Sequence, residues 1–350
     1  MILKLKPDFK EAVHRIEAWW HYEITDRIPV AVTALKDPVL RPAVPKAGST
    51  AEKWWGKDFV LESAYARLTS NVYAGEALPV FIPDLGENIL AGLLGGDVIF
   101  SDDDTKIESS FSSLSGLSGL SLDPENAYYL WLKECSNRAL KKARKTYLVG
   151  MPCLQNPLDC IAALISPGTA ADSSAGNGEL LAQTAEHLQY IWKNVYAEFS
   201  SPLLKEYGGT AGSLNLFRKG TFHCIALKSF SPEQTESILP VCVNIVRVLA
   251  AFLDSSLFCI PSSFNREQIS SILDITPLTG ICIDRGNPAE AVHIIEAAQT
   301  SGKCVYIKLD KHDIEPLLKE FPNPEGVMLS THARNEAEAE EIVRKTAKFT

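Results

Sequence analysis

The sequence predicts a mixed α/β fold in which parallel strands alternate with helices. Apolar or β-branched runs bounded by turn residues recur along the chain, and segments with helical apolar spacing lie between them, at about 25 to 40 residues per strand-and-helix unit. The runs are continuously apolar, which is typical of strands buried on both faces of a parallel sheet. With 350 residues, of which 46% are hydrophobic, the chain has the length of two ordinary domains or of one large α/β barrel.

The elements can be assigned in chain order. A helix is predicted over residues 8–22, and the first strand is predicted in the segment TDRIPVAVTA that follows. Further strands are predicted at 146–151, 222–230, 256–261, 279–284, 304–309 and 326–331. The C-terminal half contains five helical patterns that start near Ser, Asn or Asp, residues that cap helix N-termini: SPEQTESILPVCVNIVRVLAAFL, NREQISSILD, NPAEAVHIIEAAQTSG, DIEPLLKEF and NEAEAEEIVRKTAKF. Residues 101–123 and 168–178 are rich in Gly, Ser and Asp without periodicity and are predicted to be loops.

Composition excludes several classes of protein. The formal net charge of -9 argues against nucleic-acid binding, because a phosphate-binding surface needs concentrated Lys and Arg. No segment has the run of about 18 consecutive apolar residues that a membrane helix needs, and the amphipathic start does not have the pattern of a signal peptide. The eight cysteines are too sparse for a disulfide scaffold, and several lie in apolar runs. We therefore expect a cytoplasmic protein that binds neither nucleic acid nor membrane.

Several segments resemble the uroporphyrinogen decarboxylase superfamily. They are EAWWHYEITDRIPVAVTA, GEALPVFIPDLGENILAGLLGGDVIFSDDDTKIES, YLVGMPCLQNPLDCIAALIS, SPEQTESILPVCVNIVRVLAAFLD and GVMLSTHARNEAEAEEIVRKTAKFT. The second segment is similar to a branch related to corrinoid-dependent methyltransferases. The resemblance implies one (β/α)8 barrel domain over residues 1–350, with an N-terminal helix in residues 1–25 and the barrel from about residue 26, and it implies pairing into homodimers.

The chemistry that the resemblance implies is only partly present. Uroporphyrinogen decarboxylases carry an arginine-rich signature after the first strand, since their substrate is rich in carboxylates, but only Lys36 and Arg41 stand in that region here. The methyltransferase branch carries a His-Leu-Asp-Gly stretch where this chain has Cys259 and Pro261. These departures leave both reactions of the superfamily open, because a shared fold does not determine the chemistry.

A zinc site is one candidate feature of this chain. Relatives that transfer methyl groups hold zinc with a His-x-Cys pair and a distant Cys, whereas here His223 directly precedes Cys224 and their side chains are expected on opposite faces of a strand. Cys224, Cys259 and Cys282 come from neighbouring predicted strands and are the candidate zinc ligands. The alternative interpretation is that all three are ordinary buried core cysteines.

The alternation of side chains along strands identifies further candidates. If Cys282 faces the barrel interior then so does Asp284, and the same rule links Lys308 to Asp310 and Cys224 to Lys228. Barrel enzymes place catalytic groups at the C-terminal ends of their strands. The alternation selects Asp284 and Asp310, which also stand where the decarboxylase relatives place an Asp, and the resemblance adds His332 near the superfamily's Gly-His-Gly turn. These three are the candidate catalytic residues, and Lys228 and Lys308 are candidate ligand-binding residues.

Each of these residues also has a structural interpretation. Asp284 and Arg285 can form a local turn pair, Asp310 can cap the following helix, His332 can lie in a solvated loop, and lysines at strand ends are commonly solvated.

Four more residues complete the candidate binding set. Asp26 and Arg27 match the turn before the first strand of the superfamily, Asp84 lies in its Pro-Asp-Leu-Gly loop, and Arg285 follows Asp284 at a predicted strand end. For Asp26 and Arg27 the alternative is a structural clamp that holds the first strand in place.

These observations favour an enzyme that performs methyl transfer or decarboxylation on a small organic or tetrapyrrole-type, corrinoid-linked substrate. The alternative is a catalytically degenerate barrel that binds a ligand or serves as the partner of a corrinoid protein. A Rossmann-type oxidoreductase is disfavoured because no G-x-G-x-x-G follows a predicted strand.

Overall fold

The computed structural model describes residues 2–284, 288–320 and 323–349. Its strands are β1 (Val30–Leu35), β2 (Asn71–Gly75), β3 (Val80–Phe81), β4 (Asp97–Phe100), β5 (Thr105–Glu108), β6 (Leu148–Val149), β7 (Gly209–Ala211), β8 (Phe217–Lys219), β9 (Phe222–Ala226), β10 (Ser255–Ile260), β11 (Gly280–Asp284), β12 (Cys304–Lys308) and β13 (Val327–Ala333).

Helices connect most of these strands. The α-helices are α1 (Phe9–Trp20), α2 (Thr50–Trp55), α3 (Lys57–Thr69), α4 (Ile89–Leu93), α5 (Ala127–Ala143), α6 (Pro157–Ile165), α7 (Pro167–Tyr207), α8 (Pro232–Phe252), α9 (Arg266–Leu273), α10 (Pro288–Thr300), α11 (Ile314–Glu320) and α12 (Glu336–Thr346). Short 3-10 turns occur at Pro38–Leu40, Leu114–Leu117 and Ser213–Asn215.

The central sheet has seven strands in the order β2-β1-β13-β12-β11-β10-β9. Its strands pair in parallel from β1 through β13 to β9, and only β2 is antiparallel to its neighbour. Smaller sheets join β3 to β6 in parallel, and β4 to β5 and β7 to β8 antiparallel. The predicted mixed α/β class with parallel strands is confirmed, while the strand ladders of the described residues do not join into one closed cylinder.

The strand predictions are confirmed more fully than the loop predictions. Each predicted strand segment contains a strand, although β6 is only two residues long, and α1 occupies the predicted N-terminal helix. The prediction of a loop at 168–178 is wrong, because α7 begins at Pro167 and runs through it. Ser166 accepts a hydrogen bond from the Thr169 backbone N–H, and proline suits the first helical position, so the start of α7 is well capped. The other predicted loop contains β5 and a 3-10 turn.

Two separate clusters of buried apolar residues lie on the two faces of the sheet. The larger cluster contains the side chains between the strands and the surrounding helices. The smaller cluster contains Trp19 and Trp20 of α1 together with side chains from β9, β11, β12 and β13. Trp19 is fully buried and its Nε1 donates a hydrogen bond to the Gly326 carbonyl, just before β13 begins. Helix α1 therefore covers the N-terminal ends of the central strands.

Helix α8 is the one helix of the described residues that is long and apolar enough, by length and composition, to cross a membrane. It contacts α7, α9 and β10, and its apolar face is buried in the larger cluster. Buried core helices pass the same test of length and composition. The packing of α8 is that of a core helix.

Candidate functional site

A cavity of about 590 Å³ opens where β9, β10, β11 and β12 end. The C-terminal ends of parallel strands meet at one edge of a sheet, and this is where α/β enzymes place their ligands. The loops after β3, β6 and β7 complete the wall. The side chains with polar or reactive groups in the lining are Asp84, Glu87, Asn88, Cys153, Gln155, Asn156, Asp159, Ser213, His223, Cys224, Lys228, Ser229, Cys259, Cys282, Asp284 and Lys308.

Three thiols meet at the inner end of this cavity. Cys259 of β10 pairs in register with Cys282 of β11, and the Sγ atoms of Cys259 and Cys224 are 3.2 Å apart. Cys224 and Cys282 are buried, whereas Cys259 is partly exposed to the cavity. Neighbouring parallel strands thus bring together the three cysteines that the sequence analysis grouped.

The three thiols do not fit the predicted zinc site. Thiolates on one tetrahedral zinc lie about 2.3 Å from the ion and therefore about 3.8 Å from each other, which exceeds the Cys224–Cys259 separation of 3.2 Å. Within residues 2–284, 288–320 and 323–349, no group of three or more His, Cys, Asp or Glu side chains is arranged to hold a metal ion. The geometry fits direct thiol contacts better.

His223 and Cys224 point to opposite faces of β9, as predicted. The His223 ring packs edge-on against Trp192 and Tyr196 of α7, and its Nε2 donates to the Leu154 carbonyl at 3.1 Å. Burial lowers the pKa of His223 to about 4, so the ring is neutral at pH 7. His223 therefore acts as a packing residue between strand and helix and does not approach the thiols as a fourth ligand.

Two ion pairs stand at the mouth of the cavity. Asp284 and Lys308 are register partners on β11 and β12, and their Oδ1 and Nζ atoms are 3.6 Å apart. Lys228 Nζ donates to Glu87 Oε1 at 2.7 Å. The structure thus brings together three of the candidates, Asp284, Lys308 and Lys228, and adds Glu87 as an acidic partner.

Asp84 is a carboxylic acid of the cavity whose pKa is raised well above its ordinary value. Burial raises its pKa to about 6, although hydrogen bonds from the backbone N–H groups of Gly86 and Leu85 lower it. Gly86 has φ +103°, and a side chain there would collide with Thr105, so glycine is required for this turn. Asp84 therefore titrates close to neutral pH, where a proton donor or acceptor is most useful.

The raised pKa of Asp84 predicts a pH-dependent stability change. The folded chain binds this proton more tightly than the unfolded chain does, so the ionised carboxylate destabilises the fold as the pH rises from about 4 through 6. We expect Asp84→Asn to raise the free energy of unfolding by about 1–3 kcal/mol at pH 7.5 and to have no such effect below about pH 4. Urea unfolding at both pH values measures this, and the exposed Glu87→Gln change is the control. A gain of the same size at both pH values would contradict the assignment.

Asp159 organises the loop that carries Lys228. Its carboxylate accepts hydrogen bonds from the backbone N–H groups of Lys228 and Ser229 at 2.9–3.1 Å and from Asn156 Nδ2 at 2.7 Å. The Asn156 side chain also donates to the Ala226 carbonyl at the end of β9. This buried network ties the start of α6 to the segment after β9, so it orients the cavity wall.

Asp26 and Arg27 belong to a structural clamp and not to the cavity. Both Arg27 terminal nitrogens donate to the fully buried Glu76 carboxylate, at 2.8 and 2.6 Å, and Glu76 also accepts from the Val30 backbone N–H. Arg15 donates to both oxygens of Asp26 and holds the pKa of that carboxyl at about 2. These residues precede β1, at the end of the sheet opposite the cavity. Asp26 and Arg27 do not line the cavity, and their contacts are those of the structural alternative.

Two other candidates, Asp310 and His332, do not line the cavity. Asp310 accepts a hydrogen bond from the His312 backbone N–H and shapes the turn before α11. His332 of β13 is exposed, and its Nδ1 is 2.6 Å from Thr33 Oγ1 on β1. Arg285 lies outside the described residues. The alternation of side chains that linked Lys308 to Asp310 does not apply, because β12 ends at Lys308, two residues before Asp310.

Sequence reasoning missed part of the cavity wall. Cys153 and Glu87 were not among the candidates, and Asp159 lies in the first turn of α6, where an acidic residue is common for structural reasons alone. The turn Ser213–Asn215 also borders the cavity, with Leu214 and Asn215 at positive φ, a backbone conformation that is uncommon for residues other than glycine. No local pattern in the sequence signals these contacts, apart from the apolar runs that precede Asp84 and Cys153.

Comparison with known proteins does not assign the chain. No known protein family matches the sequence. No curated protein matches it. The cavity itself therefore carries the functional argument.

Proposed function

We propose that the chain is a uroporphyrinogen decarboxylase-like (β/α)8-barrel enzyme that transfers a methyl group between small organic or corrinoid-linked substrates. The observation that carries the proposal is the cavity at the strand ends, with three contacting thiols at its inner end. Thiol sulfur is a soft nucleophile suited to carbon electrophiles. The cavity volume of about 590 Å³ is within the range of small-molecule sites.

Backbone hydrogen bonds between the smaller sheets support the barrel. The Glu76 N–H donates to the Val30 carbonyl, and the Leu148 N–H donates to the Pro79 carbonyl. Further along, the Met151 N–H donates to the Ala211 carbonyl at 2.8 Å, and the Thr210 N–H donates to the Gly220 carbonyl at 2.9 Å. The last three bonds run from β3 through β6 and β7 to the segment before β9, while the first extends the pairing of β1 with the segment after β2. The apolar cluster that α1 covers has the position of a barrel interior.

The cations of the cavity favour methyl transfer over decarboxylation of a porphyrinogen. A substrate with many carboxylates needs several guanidinium partners, and no arginine is among the described lining residues. Lys228 and Lys308 are each already paired with a carboxylate. The lining also carries Asp84, Glu87, Asp159 and Asp284, which would repel a polyanion.

Methyl transfer is tested with methylcobalamin as the donor and 2-mercaptoethanol as the acceptor, under anaerobic conditions and in dim light. We expect protein-dependent loss of the methylcobalamin absorption and formation of the methyl thioether. Lys308→Met should lower kcat/KM by about tenfold or more, because it unpairs Asp284 at the cavity mouth. Lys319→Met, an exposed lysine of α11 paired with Glu315, should leave the rate unchanged. Consumption of uroporphyrinogen in place of methylcobalamin would assign the chain to decarboxylation and refute the proposal.

A binding or partner subunit is the second candidate function. It is favoured by the dispersal of the predicted catalytic set, since Asp310 and His332 do not line the cavity. In that case a corrinoid protein is the proposed partner, and neither reaction would occur without it. A cytoplasmic location and a homodimer remain part of the proposal, and the eight free thiols are consistent with a reducing compartment.

A further inference from the structure

The geometry points to Cys259 as a nucleophile that accepts an alkyl group from a soft carbon electrophile bound in the cavity. This inference rests on the proposed function for its substrate class. In the methyltransferase relatives a metal ion activates the thiol. In this chain two neighbouring thiols, Cys224 and Cys282, activate Cys259.

Strand register sets up the arrangement. Cys259 is opposite Cys282 across the β10–β11 ladder, and Cys224 of β9 is diagonal to it, with the two Sγ atoms 3.2 Å apart. A thiol is a weak donor on its own, but two donors aimed at one sulfur from fixed strands cost no reorganisation when that sulfur is ionised. All three cysteines line the cavity, but Cys224 and Cys282 are buried, whereas Cys259 is partly exposed and therefore the most accessible of the three.

The electrostatics agree with this division of roles. Hydrogen bonds from Cys224 and Cys282 lower the pKa of Cys259, and the charge of Lys228 acts in the same direction. The hydrogen bond to Cys259 raises the pKa of Cys224. A hydrogen bond with Cys224 lowers the pKa of Cys282, but its hydrogen bond to Cys259 and burial raise it, and the net direction is upward. These directions favour ionisation of Cys259 over ionisation of Cys224 or Cys282.

Cys153 provides a comparison within the same cavity. It is also partly exposed and also lines the wall, but burial raises its pKa to about 12. Its Sγ lies 3.9 Å from Ser213 Oγ. Cys153 and Cys259 thus share access to the cavity and differ in what surrounds the sulfur.

The chemical step is a displacement at carbon. A lone pair of the Cys259 thiolate forms the new S–C bond while the bond from that carbon to the leaving group breaks. The electron pair of the broken bond departs with the leaving group, which takes the negative charge that the thiolate loses. The product is a neutral thioether, so in the absence of a stronger nucleophile Cys259 accepts one alkyl group per chain.

Competitive alkylation of the unmodified, full-length protein tests this inference. We treat it with limiting iodoacetamide at pH 7.5 and measure the modification of each cysteine by peptide mass spectrometry. We expect Cys259 to react at least about tenfold faster than Cys153 and to account for the first equivalent of label. Equal rates at the two residues, or stoichiometric zinc bound by the three thiols, would overturn the inference.

Two variants separate activation from simple accessibility. Cys224→Ala removes a donor and should slow labelling of Cys259 about tenfold, whereas Cys224→Ser keeps a hydroxyl donor and should retain most of the rate. Equal rates in the two variants would refute the role of Cys224. Rapid labelling without methylcobalamin turnover would keep this inference and reject the proposed function, while turnover with an unreactive Cys259 would do the reverse.

Discussion

Replacing Glu76 with alanine is expected to lower the free energy of unfolding by about 3–5 kcal/mol. Glu76 is fully buried and accepts hydrogen bonds from both Arg27 terminal nitrogens and from the Val30 backbone N–H. Its removal leaves the buried Arg27 guanidinium without a counter-charge and the first N–H of β1 without an acceptor. The cost is large because a buried charge has lost its hydration, and without a partner no other interaction compensates for that loss. The midpoint of urea unfolding measures it.

The neighbouring Asp26 is the matched control for this clamp. It pairs with Arg15 through two hydrogen bonds, yet it is 55% exposed. An exposed ion pair contributes little, so Asp26→Ala should cost no more than about 1 kcal/mol. Equal losses in the two variants would mean that burial does not determine the strength of the clamp.

Replacing Trp19 with alanine should cost a similar amount, about 3–5 kcal/mol, through lost packing. Trp19 is fully buried, its ring centroid is 4.4 Å from that of Trp20, and its Nε1 donates to Gly326 at 2.9 Å. Truncation leaves a cavity beneath the strands and an unpaired carbonyl. The shift of the thermal unfolding midpoint, together with urea unfolding, checks the prediction.

Two variants bracket the Trp19 result. Trp19→Phe keeps most of the apolar volume and should cost less than the alanine variant, because only the hydrogen bond and part of the ring are lost. Tyr190→Ala removes a ring that is 65% exposed on α7 and should change stability by at most about 0.5 kcal/mol. A loss below about 1 kcal/mol for Trp19→Ala would show that α1 is only loosely attached to the sheet.

The α/β class was predictable because it depends on local patterns. The apolar runs at β10, β11 and β12 are bounded by turn residues, and buried parallel strands have this pattern wherever they occur. The start of α7 was missed because Gly and Ser in residues 168–178 suggest a loop, while the Ser166 cap and tertiary contacts stabilise a helix. The clamp around Glu76 joins residues 49 positions apart, and no local pattern contains that information.

The candidate site, too, was predictable only where local sequence patterns determine it. Alternation along single strands correctly placed Asp284 with Cys282 and Lys228 with Cys224 in one cavity. The rule does not extend past the end of a strand: Asp310, two residues after β12, does not line the cavity, whereas Lys228, two residues after β9, lines it through the segment that Asp159 holds. The sequence suggested three thiols on neighbouring strands, but their separation, which argues against zinc, depends on register and side-chain rotamers. Glu87 and Asp159 reach the cavity through loops, whose paths follow from packing.

The contact of α1 with the last strands has a consequence for the order of events during synthesis. Trp19 bonds to the carbonyl of Gly326, 307 residues later, and the Cys304 thiol donates to the Trp19 carbonyl. Helix α1 is synthesised long before these partners, and Trp19 lacks its hydrogen-bond acceptor until residue 326 has been made. Contacts at such sequence separation slow folding and leave apolar surface exposed meanwhile. Helix α1 thus keeps apolar surface exposed through most of the synthesis of this chain.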